Sequence, residues 1–378
     1  MTDGVASAGI DARDLTLALA PASETPALPA LWRDLEVRAD GSFFLSWNWI
    51  GPWLALSGAT PLLLMVRHGQ NIVGLALLQP ARLRRHVLVR PRALLLHQTG
   101  DPARDGITIE YNGILAERRC ADAVAQAALA YLVREARCDE LHLAGVSEPF
   151  ATQARRSGLG VWTRARAPSW RVDLEALRRS GRPYLASIGA NTRYQIRRAM
   201  RLYERRGALA AVPARSVAEA MAFFADLKAL HQRYWQSRGA PGSFSPFFEQ
   251  FHRALVTEGV EKGSVELVRI AAGDEAIGYL YNFVHRGHVY NYQTGFAYDA
   301  DARLKPGLVS HTLCIERHLA GGAQIYDFLA GDHRYKRNLG SAGPQMLDLV
   351  LQRASPVLAA ERALRRINAI IRPAGRDG

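Results

Sequence analysis

Between residues 279 and 340 the spacing of apolar positions changes several times, and each change marks an element. Segments 279–284 (YLYNFV) and 288–294 (HVYNYQT) are aromatic and β-rich, with His285-Arg286-Gly287 between them, which predicts a β-hairpin. A polar loop follows over 298–305. Leu308, Val309, Leu313, Ile315 and Leu319 then recur at helical spacing, from Pro306-Gly307 to Gly321-Gly322. Proline at the start and glycine past the end is the expected polarity of a helix. Segment 324–329 is short and apolar and predicts a buried strand. Strand, loop, helix and strand make a crossover unit, whose helix N-terminus turns unpaired N–H groups toward the loop. Such an end suits an anion, phosphate above all, although the same unit also occurs as a plain connection without a ligand.

The pattern occurs twice. Gly69…Gly74 and Gly273…Gly278 share one spacing, and each follows a strand-like run, 62–66 and 265–270. Helical segment 121–136 leads into 140–145, and the 308–320 segment leads into 326–331; both strands end in Leu-Ala-Gly. This is a repeat on the scale of a domain. It predicts a mixed α/β fold of two related lobes, with central β-sheets flanked by helices. The expected boundaries are a disordered tail over 1–30, a first lobe over 31–165, a second lobe with the active site over 166–355, and a basic helix and tail over 356–378. The chain is expected to change lobe within 165–169, just before a strand at 170–174. In the C-terminal helix, Leu358, Leu364, Ile367 and Ile371 share one side, which suits packing against a lobe or, less simply, a membrane surface.

Composition narrows the class. With 48% apolar and 22% charged residues the chain is globular, and no apolar run approaches the length of a membrane span. The N-terminus, MTDGVASAGIDARD, carries acids where a signal peptide would carry bases, so a cytoplasmic protein is expected. Cys120, Cys138 and Cys314 make no disulfide or metal spacing, and His231, His285, His288, His311 and His333 share no ligand pattern, so no metal is expected. No serine elbow, Walker loop or dinucleotide fingerprint is present. The net charge of +13 calls for an anionic partner: CoA, a sugar nucleotide, RNA or an acidic surface. Only four of the 48 basic residues are lysines, and two of these, Lys305 and Lys336, lie in the 279–340 region. A helix over 186–207 places Arg193, Arg197, Arg201 and Arg205 in one stripe. The stripe is either a solvated face beside acids such as Glu204 or a contact for a phosphate-bearing substrate.

Tyr292-x-Thr294-Gly295-Phe296, Pro306-Gly307-Leu308, Tyr326-Asp327-Phe328-x-x-Gly331-Asp332 and Tyr335-Lys336-Arg337 together resemble the C-terminal half of GNAT-type acyltransferases. The resemblance is to the two-lobed group of the CelD, cellulose-biosynthesis type. Ser187…Arg193-x-x-x-Arg197-Arg198 resembles that group's Arg-rich helix, and Thr99-Gly100-Asp101…Asp105…Glu110-Tyr111-Asn112-Gly113 is similar in the first half. The likeness spans roughly residues 30–345. FemAB-type transferases, which use aminoacyl-tRNA, share the plan, and Tyr335-Lys336 resembles their aromatic-Lys pair.

The resemblance implies an N-acyltransferase moving an acyl group, acetyl by expectation, from acyl-CoA. The acceptor would be an amine or hydroxyl of a small molecule or polysaccharide precursor. Such a reaction needs a cradle for the pyrophosphate, a route for the acceptor's proton, and donors for the developing oxyanion. Lys305, Pro306, Gly307 and Leu308 are the expected cradle. Lys336, with Tyr335 beside it, is assigned to the oxyanion or a phosphate, Asp327 to the general base, and Tyr292 to the acid facing the thiolate. Arg193, Arg197, Arg201 and Gln293 are assigned to the substrate. Two alternatives stay open: FemAB-like transfer from aminoacyl-tRNA, and a non-catalytic partner in polysaccharide synthesis. The last is raised by the first lobe, whose equivalent of the phosphate loop, near 116–120, lacks a Pro-Gly start.

Overall fold

A computed structural model describes residues 10–83, 90–135 and 138–361, apart from 357 and 359. Among the described residues, thirteen strands form one sheet. They are β1 (Leu15–Pro21), β2 (Leu62–His68), β3 (Asn71–Arg82), β4 (Arg92–Leu96), β5 (Leu115–Ala116), β6 (Glu140–Ser147), β7 (Gly160–Asp173), β8 (Leu209–Pro213), β9 (Val265–Ala272), β10 (Glu275–His285), β11 (His288–Phe296), β12 (Ile325–Ala330) and β13 (Ser341–Gln352). Their order is β1-β2-β3-β4-β6-β13-β7-β12-β11-β10-β9-β8, with β5 beside β3. Helices flank the sheet, and the fold is the mixed α/β plan expected.

The repeat is visible in the backbone. The hairpins β2–β3 and β9–β10 both turn on a glycine with positive φ, Gly69 at 58° and Gly273 at 60°, where other residues are strained. The second glycine of each pair has a different duty. A Cβ on Gly74 would lie 2.5 Å from Val124 of the Ala121–Arg134 helix, and one on Gly278 would lie 2.8 Å from Ser310 of the Pro306–Ala320 helix. At both sites the crossover helix seats directly on the strand. Each helix joins a parallel pair, β4–β6 in the first lobe and β11–β12 in the second. The 279–294 hairpin is also present, turning through Arg286 and Gly287, both with positive φ.

Three expectations are corrected. The tail predicted over 1–30 is ordered from residue 10: β1 pairs along β2, and the Leu28–Arg38 helix begins before residue 31. In β1, Leu15, Leu17 and Leu19 alternate with small residues, a weak signal that its neighbour strand reinforces. The chain also does not break at 165–169, because β7 runs unbroken from 160 to 173 and pairs with β12 near one end and β13 along its length. The last described strand, β13, inserts between β6 and β7, so the C-terminal part of the chain completes the first lobe's side of the sheet. Finally, Tyr335-Lys336-Arg337 sits on a short helix, Arg334–Leu339, instead of a loop. The Arg-rich helix runs Ala190–Glu204, preceded by a separate turn at Tyr184–Ser187. Most of the helix predicted over 356–372 lies outside the described residues.

Three apolar cores follow from this layout. One fills the first lobe's outer face and one the second's. The third is shared, with Trp32, Phe43, Phe44 and Trp49 from the first lobe against Phe251, Tyr281 and Phe283 from the second. Phe43 stacks on Phe283 with centroids 4.2 Å apart, and Trp49 meets Phe251 edge-on at 4.8 Å. The Arg286 guanidinium donates to the Glu36 and Ala39 carbonyls, tying the second lobe's hairpin to the first lobe. The lobes therefore share too much apolar surface to unfold separately. Phe283→Ala is expected to cost about 3–5 kcal/mol. It should keep a single unfolding transition, measured by denaturant titration followed at both near- and far-ultraviolet wavelengths.

Candidate active site

The parallel pairing of β11 with β12 covers His288–Tyr290 against Ile325–Asp327 and then stops. Beyond it the strands part, and a cleft of about 960 Å³ opens between them. Leu329 turns away with φ 62° and Gly331 with φ 121°. The Pro306–Ala320 helix points its N-terminus into the cleft, and no side chain caps it. Proline at the first position has no N–H to lose, so the free donors there are backbone groups of the next residues. The opposite wall comes from the Val217–Gln236 and Pro246–Gly259 helices, through His231, Tyr234, Trp235 and Phe248.

The foot of the cleft holds Glu110 and Lys336, with Asp327 adjacent to them. Glu110, from the first lobe, accepts the Ala330 N–H at 2.7 Å and is 8% exposed. Burial pushes its pKa up to about 7; the Ala330 N–H and the Lys336 charge oppose that rise, and Asp327 adds to it. The Lys336 ammonium donates to the carbonyls of Ala330 at 2.6 Å and Leu329 at 3.3 Å. Burial pulls its pKa below the usual lysine range, against the charges of Glu110 and Asp327. Asp327 accepts the Leu329 N–H at 2.7 Å and the Tyr111 hydroxyl, and burial raises its pKa.

The first lobe holds Glu110 in place by a strained segment. Thr108 and Tyr111 have φ of 43° and 49°, a conformation costing non-glycine residues about 1–3 kcal/mol each. Asn112 offsets this by donating to the carbonyls of Leu96 at 3.1 Å and Ala144 at 2.9 Å, while its own oxygen accepts from His97 Nδ1 at 2.8 Å. His97 Nε2 accepts the Leu77 N–H at 3.0 Å, so the ring is neutral with its proton on Nδ1, and burial lowers its pKa to about 4. Tyr111 also meets Tyr290 edge-on at 5.9 Å.

The residues assigned from sequence fall into three sets. Tyr292, Gln293, Lys305, Pro306, Gly307, Leu308, Tyr335 and Lys336 all line the one cleft. Within it, Tyr292 spends its hydroxyl on the Ile107 carbonyl, and burial holds its pKa well above the tyrosine range, which argues against a ready acid. Tyr335 stacks on His311 with centroids 5.3 Å apart. Asp327 is adjacent but does not line the cleft, and both its oxygens are engaged, so the freer carboxylate is Glu110. Arg193, Arg197 and Arg201 lie outside the cleft. Arg193 donates to the Leu185 and Ile188 carbonyls, while Arg197 and Arg201 are exposed, with no acidic partner among the described residues. Sequence reasoning missed Glu110 as a site residue. Its signals were an acid among Ile107, Ile109 and Tyr111, and its place in the Glu110-Tyr111-Asn112-Gly113 motif, to which no role was assigned.

Among the described residues, one further cluster has ligand-type atoms within 4.8 Å of one another, Glu266, Cys314 and His318. Its carboxylate already accepts from Arg317 at 2.6 Å and His318 at 2.9 Å, and these partners outweigh burial and bring its pKa to about 2. Burial pushes the Cys314 thiol up to about 12. The cluster is an ion-pair network closed by protein groups.

Residues 190–337 match the family model described as acetyltransferase (GNAT) domain. The match covers this stretch and not the whole chain, and it shows a GNAT-like domain there. It contains the parted strands, the uncapped helix and Lys336, but not Glu110. No match is found among curated proteins. Among solved structures, FemX aligns with a TM-score of 0.56 at 10% identity, covering 88% of this chain and 98% of that one. The C-terminal domain of a putative lysylphosphatidylglycerol synthetase from Agrobacterium fabrum aligns at 0.53 and 11% identity, covering 93% and 98%. L-PGS from Bacillus licheniformis aligns at 0.51 and 9% identity, covering 88% and 94%. At these identities the likeness is one of fold, and it extends over both lobes.

The Glu110 shift carries a sign. Its pKa in the fold lies above that of a free glutamate, about 4.3. This carboxyl therefore favours folding below the free value, and that contribution is lost as pH rises through about 7. Glu110→Gln should gain in melting temperature relative to the parent between about pH 5 and about pH 8. Paired thermal melts across that range check the sign.

Proposed function

We propose that the chain is an N-acyltransferase that takes its acyl group from acyl-CoA and passes it to an amine. The observation that carries this reading is a buried, half-satisfied Glu110 carboxylate beside Lys336, at the foot of a cleft that ends on an uncapped helix N-terminus. The backbone donors at Gly307 and Leu308, with Lys305 beside them, suit a pyrophosphate. The acyl arm would then run along Tyr292–Phe296 toward Ala330. Glu110 is the general base, because its pKa near neutrality matches proton transfer at working pH. Two of the three Lys336 donors are taken by carbonyls, leaving one for the carbonyl oxygen that becomes negative. A polysaccharide precursor is an acceptor of the class suggested by the resemblance to the CelD group.

A second donor, aminoacyl-tRNA, is favoured by one observation. Arg197, Arg201 and Arg205 form an exposed stripe without acidic partners among the described residues, which a polyanion would neutralise.

Two measurements separate these. Saturating CoA should slow hydrogen exchange of the 298–312 amides; tRNA binding with no such protection would replace the CoA reading. Replacing Arg193, Arg197 and Arg201 by Gln should leave the fold intact, and should weaken binding and its salt dependence only if a polyanion is the donor. Within the CoA reading, Glu110→Gln should lower kcat by about 10²–10⁴-fold. It should also abolish the rise of rate with pH through about 7, because the base is the ionised form. Lys336→Met should lower kcat by about 10²–10³-fold with a folded protein, and Lys336→Arg should restore little.

A further inference from the structure

Thr108, Glu110 and Ala330 line two adjoining spaces at once. One is the donor cleft; the other is a second cavity of about 300 Å³. Through Gln98, Asp105, Ala144 and Asp348 that cavity continues into a groove of about 470 Å³. It lies where β4 and β6 end their parallel pairing, the place that the donor cleft takes in the second lobe. In the first lobe, however, the segment after β4 is long and folds across to deliver Glu110, and the following helix starts from a 3-10 turn, Arg118–Cys120, without a Pro-Gly end. The phosphate cradle is gone and the cavity remains.

The groups facing this cavity have a definite chemistry. Glu110 gives one oxygen to the Ala330 N–H; the other has no hydrogen-bond partner among the described residues. Asp348 accepts the Gly145 N–H with Oδ1 at 2.8 Å, and its Oδ2 likewise has none. The Gln98 side chain makes no hydrogen bond among the described residues, whereas Asp105 is committed to Thr99 and Gly100. Arg166 and Arg164 are exposed at the outer edge. The interior is thus anionic with two oxygens unspent, and the rim is cationic.

We propose that this second cavity is the acceptor site and that it takes a small primary ammonium carrying an anionic group at its other end. This deepens the acyl-transfer reading and rests on it. The ammonium enters between Asp348 and Glu110, and Arg166 holds the anion at the rim. Glu110 removes one proton from the ammonium. The freed nitrogen forms the C–N bond to the thioester carbonyl where the two spaces meet over Glu110. The C–S bond breaks, and the departing thiolate takes the nitrogen's surplus proton as CoA leaves. Glu110 then returns its proton to solvent. Donor and acceptor occupy different spaces that meet at the same carboxylate, and they do not compete. A hydroxyl acceptor would leave the two carboxylates without a cation.

The test uses the full chain with saturating CoA and two probes of this chemistry, L-lysine and glucosamine 6-phosphate, with glucose 6-phosphate as the hydroxyl control. Binding is read by calorimetry. At least one ammonium probe should bind, and the control should not; which one binds distinguishes an amino-acid from an amino-sugar source. Asp348→Asn keeps the Gly145 contact and should weaken that binding about tenfold or more. Ala165→Trp, on the cavity wall, should abolish it. CoA affinity should be unchanged in both. The proposal is overturned if no ammonium probe binds, if the probe displaces CoA, or if both variants bind it as the parent does. A failure of CoA itself to bind would instead remove the donor reading, which the calorimetry reports separately.

Discussion

When β12 leaves β11, the backbone of Leu329 and Ala330 loses its partners on that side, at the largely buried foot of the cleft. Buried N–H and C=O groups left unpaired cost as much as lost hydrogen bonds, so something must replace the ladder. Ionisable side chains do so. Asp327 accepts the Leu329 N–H, Glu110 accepts the Ala330 N–H, and the Lys336 ammonium serves both carbonyls. Charge at this site follows from the parting of two strands. The same parting opens the cleft, so the groups that repair the backbone are also those that face a ligand.

The two lobes divide the labour because they solve the repeated crossover differently. In the second lobe the segment between β11 and its helix is short, and the helix end stays open to the cleft. In the first it is long enough to cross the sheet, at the expense of strain at Thr108 and Tyr111 that Asn112 and His97 hold in place. Glu110 can reach Ala330 only because the shared aromatic core and the Arg286 clasp fix one lobe against the other. The GNAT match begins after Glu110, so the carboxylate that accepts the Ala330 N–H comes from outside the matched stretch.

What was legible in the sequence was local. Arg286-Gly287 fixes the hairpin turn, Pro306 and Gly321 bound the helix, and the Gly spacing reports both a turn and a helix seat. What was hidden depends on partners far along the chain. Nothing in 341–352 announces that it will lie between β6 and β7, since an apolar strand carries no address. Glu110 looks like a polar interruption until Ala330, far along the chain, is placed beside it. Asp327 was the more conspicuous acid, flanked by apolar residues on a predicted strand, yet those neighbours bury it where its oxygens are already engaged.

The scarcity of lysine acquires a physical meaning at position 336. This chain uses arginine for nearly every cation, including the ion pairs at Glu266, Asp299 and Asp301. At Lys336 the ammonium has to fit between two carbonyls and beside Gly331, whose Cβ, were there one, would lie 3.4 Å from Nζ. A planar guanidinium holds its donors in a rigid fork and is not interchangeable with a compact ammonium at such a point. It also keeps its charge under any burial, whereas burial here already pulls the lysine toward neutrality. Glu110, pushed upward by the same burial, sits beside it, so each member's charge holds back part of the other's shift. Such a pair suits a site in which one member takes a proton while the other steadies the charge left behind.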